Sequence, residues 1–308
     1  MRITNKILFD SVARNISKTS TEMFRANQMV SSGKRIENLS DDPIGLVAVL
    51  DLRSSLANIS QLQRNIDAGR SWLDMGESTL TQVEDLLTQT KALCVEMASD
   101  TKGSTERRNA GTVVDGYLKQ VLSLANTQVN GRYIFSGTKT DTVPFVYDET
   151  GPPPNVAYQG NDTAFSVKIG KDINVEVGRD GETVFGDDAF DWSDPAAGQT
   201  NIFKTFIDLK TSLVNNDVSG IGAAMDKLDS QLDNVRTMIS DTGGKILRLD
   251  AKEQIIQDLN LTYTGRKSKL EDADLAEAVL ELKSKETAYQ AALASSSQVM
   301  SLSLVDYL

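Results

Sequence analysis

Histidine is absent from this 308-residue chain, and cysteine occurs once. The absence of histidine excludes Ser-His-Asp and Cys-His catalysis, histidine-bearing zinc sites and haem ligation by histidine. Cys94 has no disulfide partner within the chain, and its place in an apolar helical pattern predicts a small buried residue. Carboxylate pairs such as Asp41/Asp42 and Asp187/Asp188 lack a pocket-forming context. The sequence therefore predicts no enzymatic activity, no cofactor and no metal site.

Large side chains and long apolar runs are also scarce. Aromatic residues make up 6 % of a chain that is 40 % hydrophobic, which suits helical packing by Leu, Ile, Val and Ala. There is no run of 18 uninterrupted apolar residues, so we expect no membrane insertion. Residues 1–6 precede neither an apolar core nor a small-residue cleavage site, so we expect no cleaved secretory signal.

Basic charge is in deficit, because the net charge is −11. Such a chain has no basic domain to neutralise phosphates, so nucleic acid is not an expected partner. The acidic excess is local. Residues 141–194 hold twelve acidic residues against three basic ones, a net charge of −9.

A heptad repeat is the strongest positive signal, and it runs from Gly45 to Met97. It predicts one helix of roughly 80 Å, which needs other long helices to cover its seam. The pattern from Ile221 to Tyr263 predicts an antiparallel partner, and a third helix is predicted from about 106 to 129 with Val113 on its inner face. The seam positions of the first pattern are Gly45, Ala48, Leu52, Ser55, Ile59, Leu62, Ile66, Gly69, Leu73, Gly76, Leu80, Val83, Leu87, Thr90, Cys94 and Met97.

Period-two alternation replaces the heptads between about 138 and 195. Residues 163–169 and 173–177 alternate, with glycines as turns, which predicts a small, acidic β insertion. The fold class expected is mainly α: an elongated antiparallel helical coiled-coil rod with paired terminal helices and a small inserted β domain. The predicted domains are residues 1–42 with 265–308, residues 43–137 with 196–264, and residues 138–195.

Both chain ends carry amphipathic helical patterns, separated from the rod by predicted loops at 31–42 and 264–271. The nested order of elements predicts that the first and last helices pair in a way that depends on assembly. The predicted assembly interface comprises Val12, Ile16, Met23, Val30, Leu275, Val279, Leu282, Tyr289, Leu293, Met300 and Tyr307.

Apolar residues surround the whole first turn of the long helix after Pro43. A seam that faces one partner would need fewer apolar residues than the six found here, which are Ile44, Leu46, Val47, Ala48, Val49 and Leu50. Two interpretations stay open: a helix start buried under the preceding loop, or a surface that contacts a second molecule.

Several motifs resemble the flagellin superfamily, and within it the proteins of the hook–filament junction. The motifs lie at the opening of the chain, before the long helix, after the third predicted helix and at the start of the last helix. They are Ser32-Gly33-Lys34-Arg35 with Ser40-Asp41-Asp42-Pro43, Asn130-Gly131-Arg132-Tyr133-Ile134-Phe135-Ser136-Gly137, Glu271-Asp272-Ala273-Asp274, and the opening Met1-Arg2-Ile3.

The resemblance implies an extracellular structural component of the bacterial flagellum that is needed for motility. It implies export through the flagellar type III apparatus with an export chaperone, and assembly of copies into a ring between hook-associated protein 1 and flagellin. The alternatives that the sequence leaves open are a filament-forming flagellin and an unrelated coiled-coil scaffold.

Overall fold

The computed structural model describes residues 2–148, 154–186 and 201–305. Helices dominate this part of the chain, which confirms the mainly α class with a small β insert. None of the helices in the described ranges is long and apolar enough to span a membrane. The long helices are α1 (Arg2–Ser32), α2 (Pro43–Met97), α3 (Ser104–Ala125), α5 (Ile202–Val214), α6 (Val218–Glu271) and α7 (Leu275–Val305), with the short α4 (Gly181–Phe185) between α3 and α5.

Three two-stranded antiparallel pairs accompany the helices. The strands are β1 (Gln128–Val129), β2 (Arg132–Tyr133), β3 (Phe145–Asp148), β4 (Asn155–Tyr158), β5 (Ser166–Lys168) and β6 (Asn174–Glu176). The pair β1 and β2 follows α3, and Phe145 of β3 lies opposite Tyr158 of β4. The predicted alternation at 163–169 and 173–177 corresponds to β5 and β6.

The chain divides into two compact units. One comprises Met1–Ile59 with Asp258–Leu308 and is called the terminal unit here, and the other comprises Ser60–Gln257 and is called the central unit. The three-part domain division expected from the sequence stays a prediction.

In the central unit, α2 and α6 lie antiparallel. Arg70 pairs with Glu253 at 3.3 Å, and Glu84 pairs with Arg236 at 2.7 Å. Lys91 pairs with Asp229, so residue numbers rise on α2 as they fall on α6. Seam residues along α2 and α6 are buried, which confirms the heptad pattern; they include Ile66, Leu73, Leu80, Leu87, Leu228, Leu232, Val235 and Leu249.

The seam also holds Cys94, which is 1 % exposed as the sequence predicts. Burial raises the pKa of its thiol to about 12, so the group stays a neutral apolar packing element. In the same unit, α3 packs on α5. The buried guanidinium of Arg107 on α3 donates to the carbonyls of Met97 and Ser99 at 2.8 and 3.0 Å. Those bonds satisfy two carbonyls at the end of α2.

Three sequence expectations are wrong. The third helix ends at Ala125 and not at about 129, because Gln128–Val129 pair with Arg132–Tyr133 as strands.

The other two concern the end of α6 and the inner face of α3. Residues 264–271 form the last turns of α6 and not a loop. Arg266, Lys267 and Lys269 favour a helix, and the N-cap of the next helix comes only at Asp274. Val113 is 45 % exposed, and the neighbouring Val114 faces the core. The observed inner face of α3 is therefore offset by one residue from the predicted inner face.

Candidate assembly interface

The two terminal helices pack on each other, as their nested order predicts. Ala26 on α1 and Ala278 on α7 are buried, and small side chains at such positions let the two backbones come close. Lys285 donates to Glu22 at 3.0 Å across the pair. This ion pair lowers the pKa of Glu22 and raises that of Lys285, chiefly through its hydrogen bond.

The predicted interface residues whose side chains the structure describes are either exposed or partly buried. Leu275, Val279 and Leu293 are exposed on α7, at 56, 51 and 43 %. Met300 lies in α7 with its side chain outside the described set, and Tyr307 lies outside the described residues. The remaining members are partly buried: Val12, Ile16, Met23, Val30, Leu282 and Tyr289.

The connection from α1 to α2 is tied to the corner between α6 and α7 by main-chain hydrogen bonds. The carbonyl of Glu271 accepts from the amides of Arg35 at 2.7 Å and Ile36 at 3.3 Å, and the carbonyl of Gly33 accepts from the amide of Ala273 at 2.9 Å. Gly33 has φ of +67°, a backbone conformation that favours glycine and lets the chain turn after α1. Two distant parts of the sequence are thus held as a single joint.

The side chain of Glu271 completes this joint. Its carboxylate is 1 % exposed and pairs through Oε1 with Lys34 at 2.7 Å and Arg53 at 2.6 Å. Burial alone would raise the pKa of this carboxyl, but the hydrogen bonds and charges of the two cations outweigh burial and hold it below its usual value. The carboxylate is therefore ionised where it is buried.

The paired aspartates before α2 shape the loop and cap the helix. Asp41 accepts from the amides of Glu37 and Asn38 at 3.2 and 2.8 Å, and the bond from Asn38 is the main reason that its pKa is lowered. Asp42 accepts from the amide of Gly45 at 2.8 Å, and Pro43 takes the first helical position. Ser40 lies exposed in the same turn.

Close packing at Gly45 explains why this position has no side chain. A Cβ there would lie 2.4 Å from a carboxylate oxygen of Asp42 and 2.6 Å from Cδ1 of Ile36, which is itself 1 % exposed. The heptad pattern predicted Gly45 as a seam position but not this approach of the loop.

The last helix begins with a second aspartate pair. Asp272 accepts from the hydroxyl of Ser268 at 2.5 Å, and Asp274 accepts from the amides of Ala276 and Glu277 at 2.9 and 3.4 Å. Asp274 is therefore the N-cap of α7.

The motif at 130–137 lies in the central unit, where it forms the turn between β1 and β2 and the segment that follows. Asn130 and Gly131 both have positive φ, 51 and 78°, in the two-residue turn between β1 and β2. The amide of Tyr133 donates to the carbonyl of Thr140 at 2.8 Å, and Arg132 is exposed. Gly137 has φ of +64°, and a Cβ there would lie 2.2 Å from the carbonyl oxygen of Asn161.

Phe135 of that motif enters an aromatic cluster between the helices and the strand pairs. Its ring packs edge-on against Phe185 at a centroid distance of 5.2 Å, and Phe145 contacts Phe185, Phe203 and Tyr158 at similar distances. The hydroxyl of Tyr158 donates toward the carbonyl of Phe135 at 3.1 Å, and burial is the main cause that raises its pKa to about 12. These motif residues hold the β insert on the helices.

Exposed apolar side chains at the start of α2 contradict the interpretation of a helix start buried under the preceding loop, and contact with a second molecule stays a prediction. Val49 is buried, whereas Ile44, Val47 and Leu50 are 85, 56 and 51 % exposed. The preceding Leu39 is 63 % exposed. A surface of this kind typically marks an interaction site.

Both the fold and these motifs are similar to those of known flagellar proteins. The model of the bacterial flagellin N-terminal helical region matches residues 3–140, which contain the motifs before and after α2. Over nearly its whole length the chain is similar to flagellar hook-associated protein 3 of Escherichia coli strain K12, at 28 % identity over 320 residues that cover 99 % of this chain and 98 % of that protein. The resemblance stated from the sequence is confirmed.

A solved structure and a flagellin are also similar to parts of this chain. The crystal structure of Bacillus cereus FlgL matches with a TM-score of 0.57 and 25 % identity, covering 70 % of this chain and 97 % of that one. A flagellin of Clostridium tyrobutyricum is 25 % identical over 144 residues, which cover 46 % of this chain and 38 % of the flagellin. The similarity to hook-associated protein 3 thus extends over both ends of the chain, and that to the flagellin covers part of it.

Proposed function

We propose that this chain is a structural adaptor at the hook–filament junction of the bacterial flagellum, needed for filament assembly and motility. The observation that carries the proposal is the similarity to flagellar hook-associated protein 3 along 99 % of the chain. Its neighbours would be hook-associated protein 1 on one side and flagellin on the other, with further copies completing a ring. It would reach the cell exterior through the type III export apparatus with a chaperone, without a cleaved signal.

The contacts of the terminal unit support an assembly role over an enzymatic one. The charged motif residues are occupied in structural bonds: Glu271 with two cations, and Asp41, Asp42 and Asp274 with main-chain amides. Apolar side chains instead face outward from α7, at Leu275, Val279 and Leu293. Exposed apolar side chains on paired helices favour packing against other molecules.

Electron microscopy of purified full-length protein, with hook fragments ending in hook-associated protein 1 as seeds, tests this function. The proposal expects a short addition at the seed tip and flagellin growth only after that addition. Seeds that bind no added protein, while control seeds still accept a known junction protein, would contradict it.

The partial match to a flagellin favours a second candidate, a filament-forming subunit. The same micrographs separate the two functions. Long filaments that grow from this protein alone would mean a flagellin.

A further inference from the structure

Three glycines lie in the interiors of the two long helices of the central unit. They are Gly76 on α2 and Gly243 with Gly244 on α6. A Cβ at any of the three would meet nothing within 4 Å, and none of them has a positive φ. Neither close packing nor backbone conformation therefore requires glycine at these positions, although each glycine weakens its helix relative to alanine.

The three glycines lie at one level of the antiparallel helix pair. The ion pairs Arg70–Asp250 and Glu84–Arg236, both at 2.7 Å, flank this level, and the glycines lie about halfway between them on each helix. A small cavity at the same level is lined by the glycine of α2 and by Thr242, the residue before the glycine pair of α6. Helix propensity is thus low in both helices at the same place.

The apolar seam is interrupted at this level as well. Among the described residues, the contiguous buried apolar cluster of the central unit ends at Leu80 on α2 and at Val235 on α6. The next fully buried apolar residue of α6 is Leu249, two heptads after Val235, and the seam position between them is the buried Thr242. Less apolar surface is therefore buried between the helices here than on the side of the cluster.

The β insert contacts α6 on both sides of the glycine pair. Before the glycines, the guanidinium of Arg179 donates to the hydroxyl of Thr242 at 2.9 Å and pairs with Asp241 at 2.5 Å. After them, Lys245 pairs with Glu176 of β6 at 3.5 Å and with Asp241 at 3.1 Å. The side chain of Arg179 is 13 % exposed, so its contacts are partly shielded from solvent screening.

We propose that residues 239–248 of α6, at the level of Gly76, form a hinge of the central unit, and that the β insert braces this hinge through Arg179 and Glu176. Helical hydrogen bonds open first where helix propensity is low and few buried apolar contacts hold the backbone, and both conditions meet here. The insert is anchored before and after the glycine pair, so opening of α6 between the anchors breaks at least one of its contacts. The hinge goes beyond the proposed junction role and does not depend on it.

Amide hydrogen exchange of the full-length protein, read by mass spectrometry of overlapping peptides, measures local opening along α6. In the wild type we expect the hinge to exchange at least about tenfold faster than residues 225–235 and 249–257 on its two sides. The double change Gly243→Ala/Gly244→Ala should slow exchange in the hinge by about fivefold for each alanine, because alanine favours the helix. Gly116→Ala is the matched control, since a Cβ at Gly116 on α3 also meets nothing within 4 Å, and it should leave exchange in α6 unchanged.

Variants of the insert test the brace by the same measurement. Arg179→Gln removes the ion pair with Asp241 and should speed exchange in the hinge about fivefold, with residues 225–235 unchanged. Glu176→Gln removes the weaker contact with Lys245 and should act in the same direction with a smaller effect. Arg236→Gln is the control, because its ion pair with Glu84 joins α2 and α6 outside the hinge. Adding the two alanines to the Arg179→Gln variant should restore slow exchange in the hinge.

Two results would overturn the hinge: exchange at 239–248 no faster than on its two sides, or exchange there unchanged by the two alanines. Exchange that rises within the insert but not at 239–248 in the Arg179→Gln variant would overturn the brace. None of these results depends on hook fragments, so the junction role is tested separately by the seeded micrographs.

Discussion

Glu271 joins three segments of the terminal unit through its side chain and its main chain. Replacement by glutamine would keep the shape and remove the charge that Lys34 and Arg53 share. Because both cations are nearly half exposed, at 40 and 46 %, they can turn to water, so we expect a loss of about 1–2 kcal/mol in unfolding free energy and not more. Thermal unfolding of Glu271→Gln beside the exposed control Asp258→Asn measures this.

The same carboxylate makes the stability of the terminal unit depend on pH. Its pKa is lowered in the folded protein, so its contribution is present above the unfolded glutamate value of about 4.3 and is lost as pH falls through the lower folded value. The stability gap between wild type and Glu271→Gln should therefore be full at pH 6 to 7 and shrink below about pH 4. A gap that stays constant down to about pH 3 would contradict this account.

Two helical glycines in the terminal unit should respond to alanine in opposite directions. At Gly45 a Cβ would meet Asp42 and the buried Ile36 below 3 Å, so we expect Gly45→Ala to destabilise by about 1 kcal/mol or more. At Gly265 nothing lies within 4 Å, so Gly265→Ala should stabilise by about 0.5–1 kcal/mol through helix propensity. Chemical denaturation of both variants gives the two signs, and a destabilised Gly265→Ala would argue against a continuous helix there.

At the scale of elements, the seam of α2 should tolerate no charge. Leu87 is fully buried, and Leu87→Asp would bury a carboxylate without a partner, at a cost of about 4 kcal/mol or more to the central unit. Val95→Asp on the same helix is a matched control, since Val95 is 56 % exposed and a change there should cost below about 1 kcal/mol. Circular dichroism melting curves of the two variants compare them directly.

The sequence predicted the elements correctly where one hydrophobic repeat continued over many residues. The heptads of α2 and α6 predicted helices, seam and antiparallel pairing, because a long repeat averages over single exceptions. It failed at residues 264–271, where a glycine and clustered charges look like a loop although each charged residue favours a helix. It also failed at Val113, since a short helix offers too few turns to fix the inner face.

In the terminal unit, the sequence predicted the two helix starts but not the bonds that join them. The motif Ser40-Asp41-Asp42-Pro43 predicted a helix start, and Asp272 with Asp274 predicted another. The link between them through Glu271 joins residues more than two hundred positions apart, and no local pattern reports such a contact.

At the scale of the whole molecule, folding and assembly should be separable on α7. Leu275 and Val279 are 56 and 51 % exposed, so the double change Leu275→Ser/Val279→Ser removes little buried area and should alter the melting temperature by no more than a few degrees. If α7 packs on neighbouring molecules in the flagellum, the same change should sharply lower incorporation at hook tips and hence motility of complemented cells. Val95→Ser, at similar exposure on α2, serves as the control. Normal incorporation of the double variant, with protein exported at the wild-type level, would remove these two residues from the predicted interface.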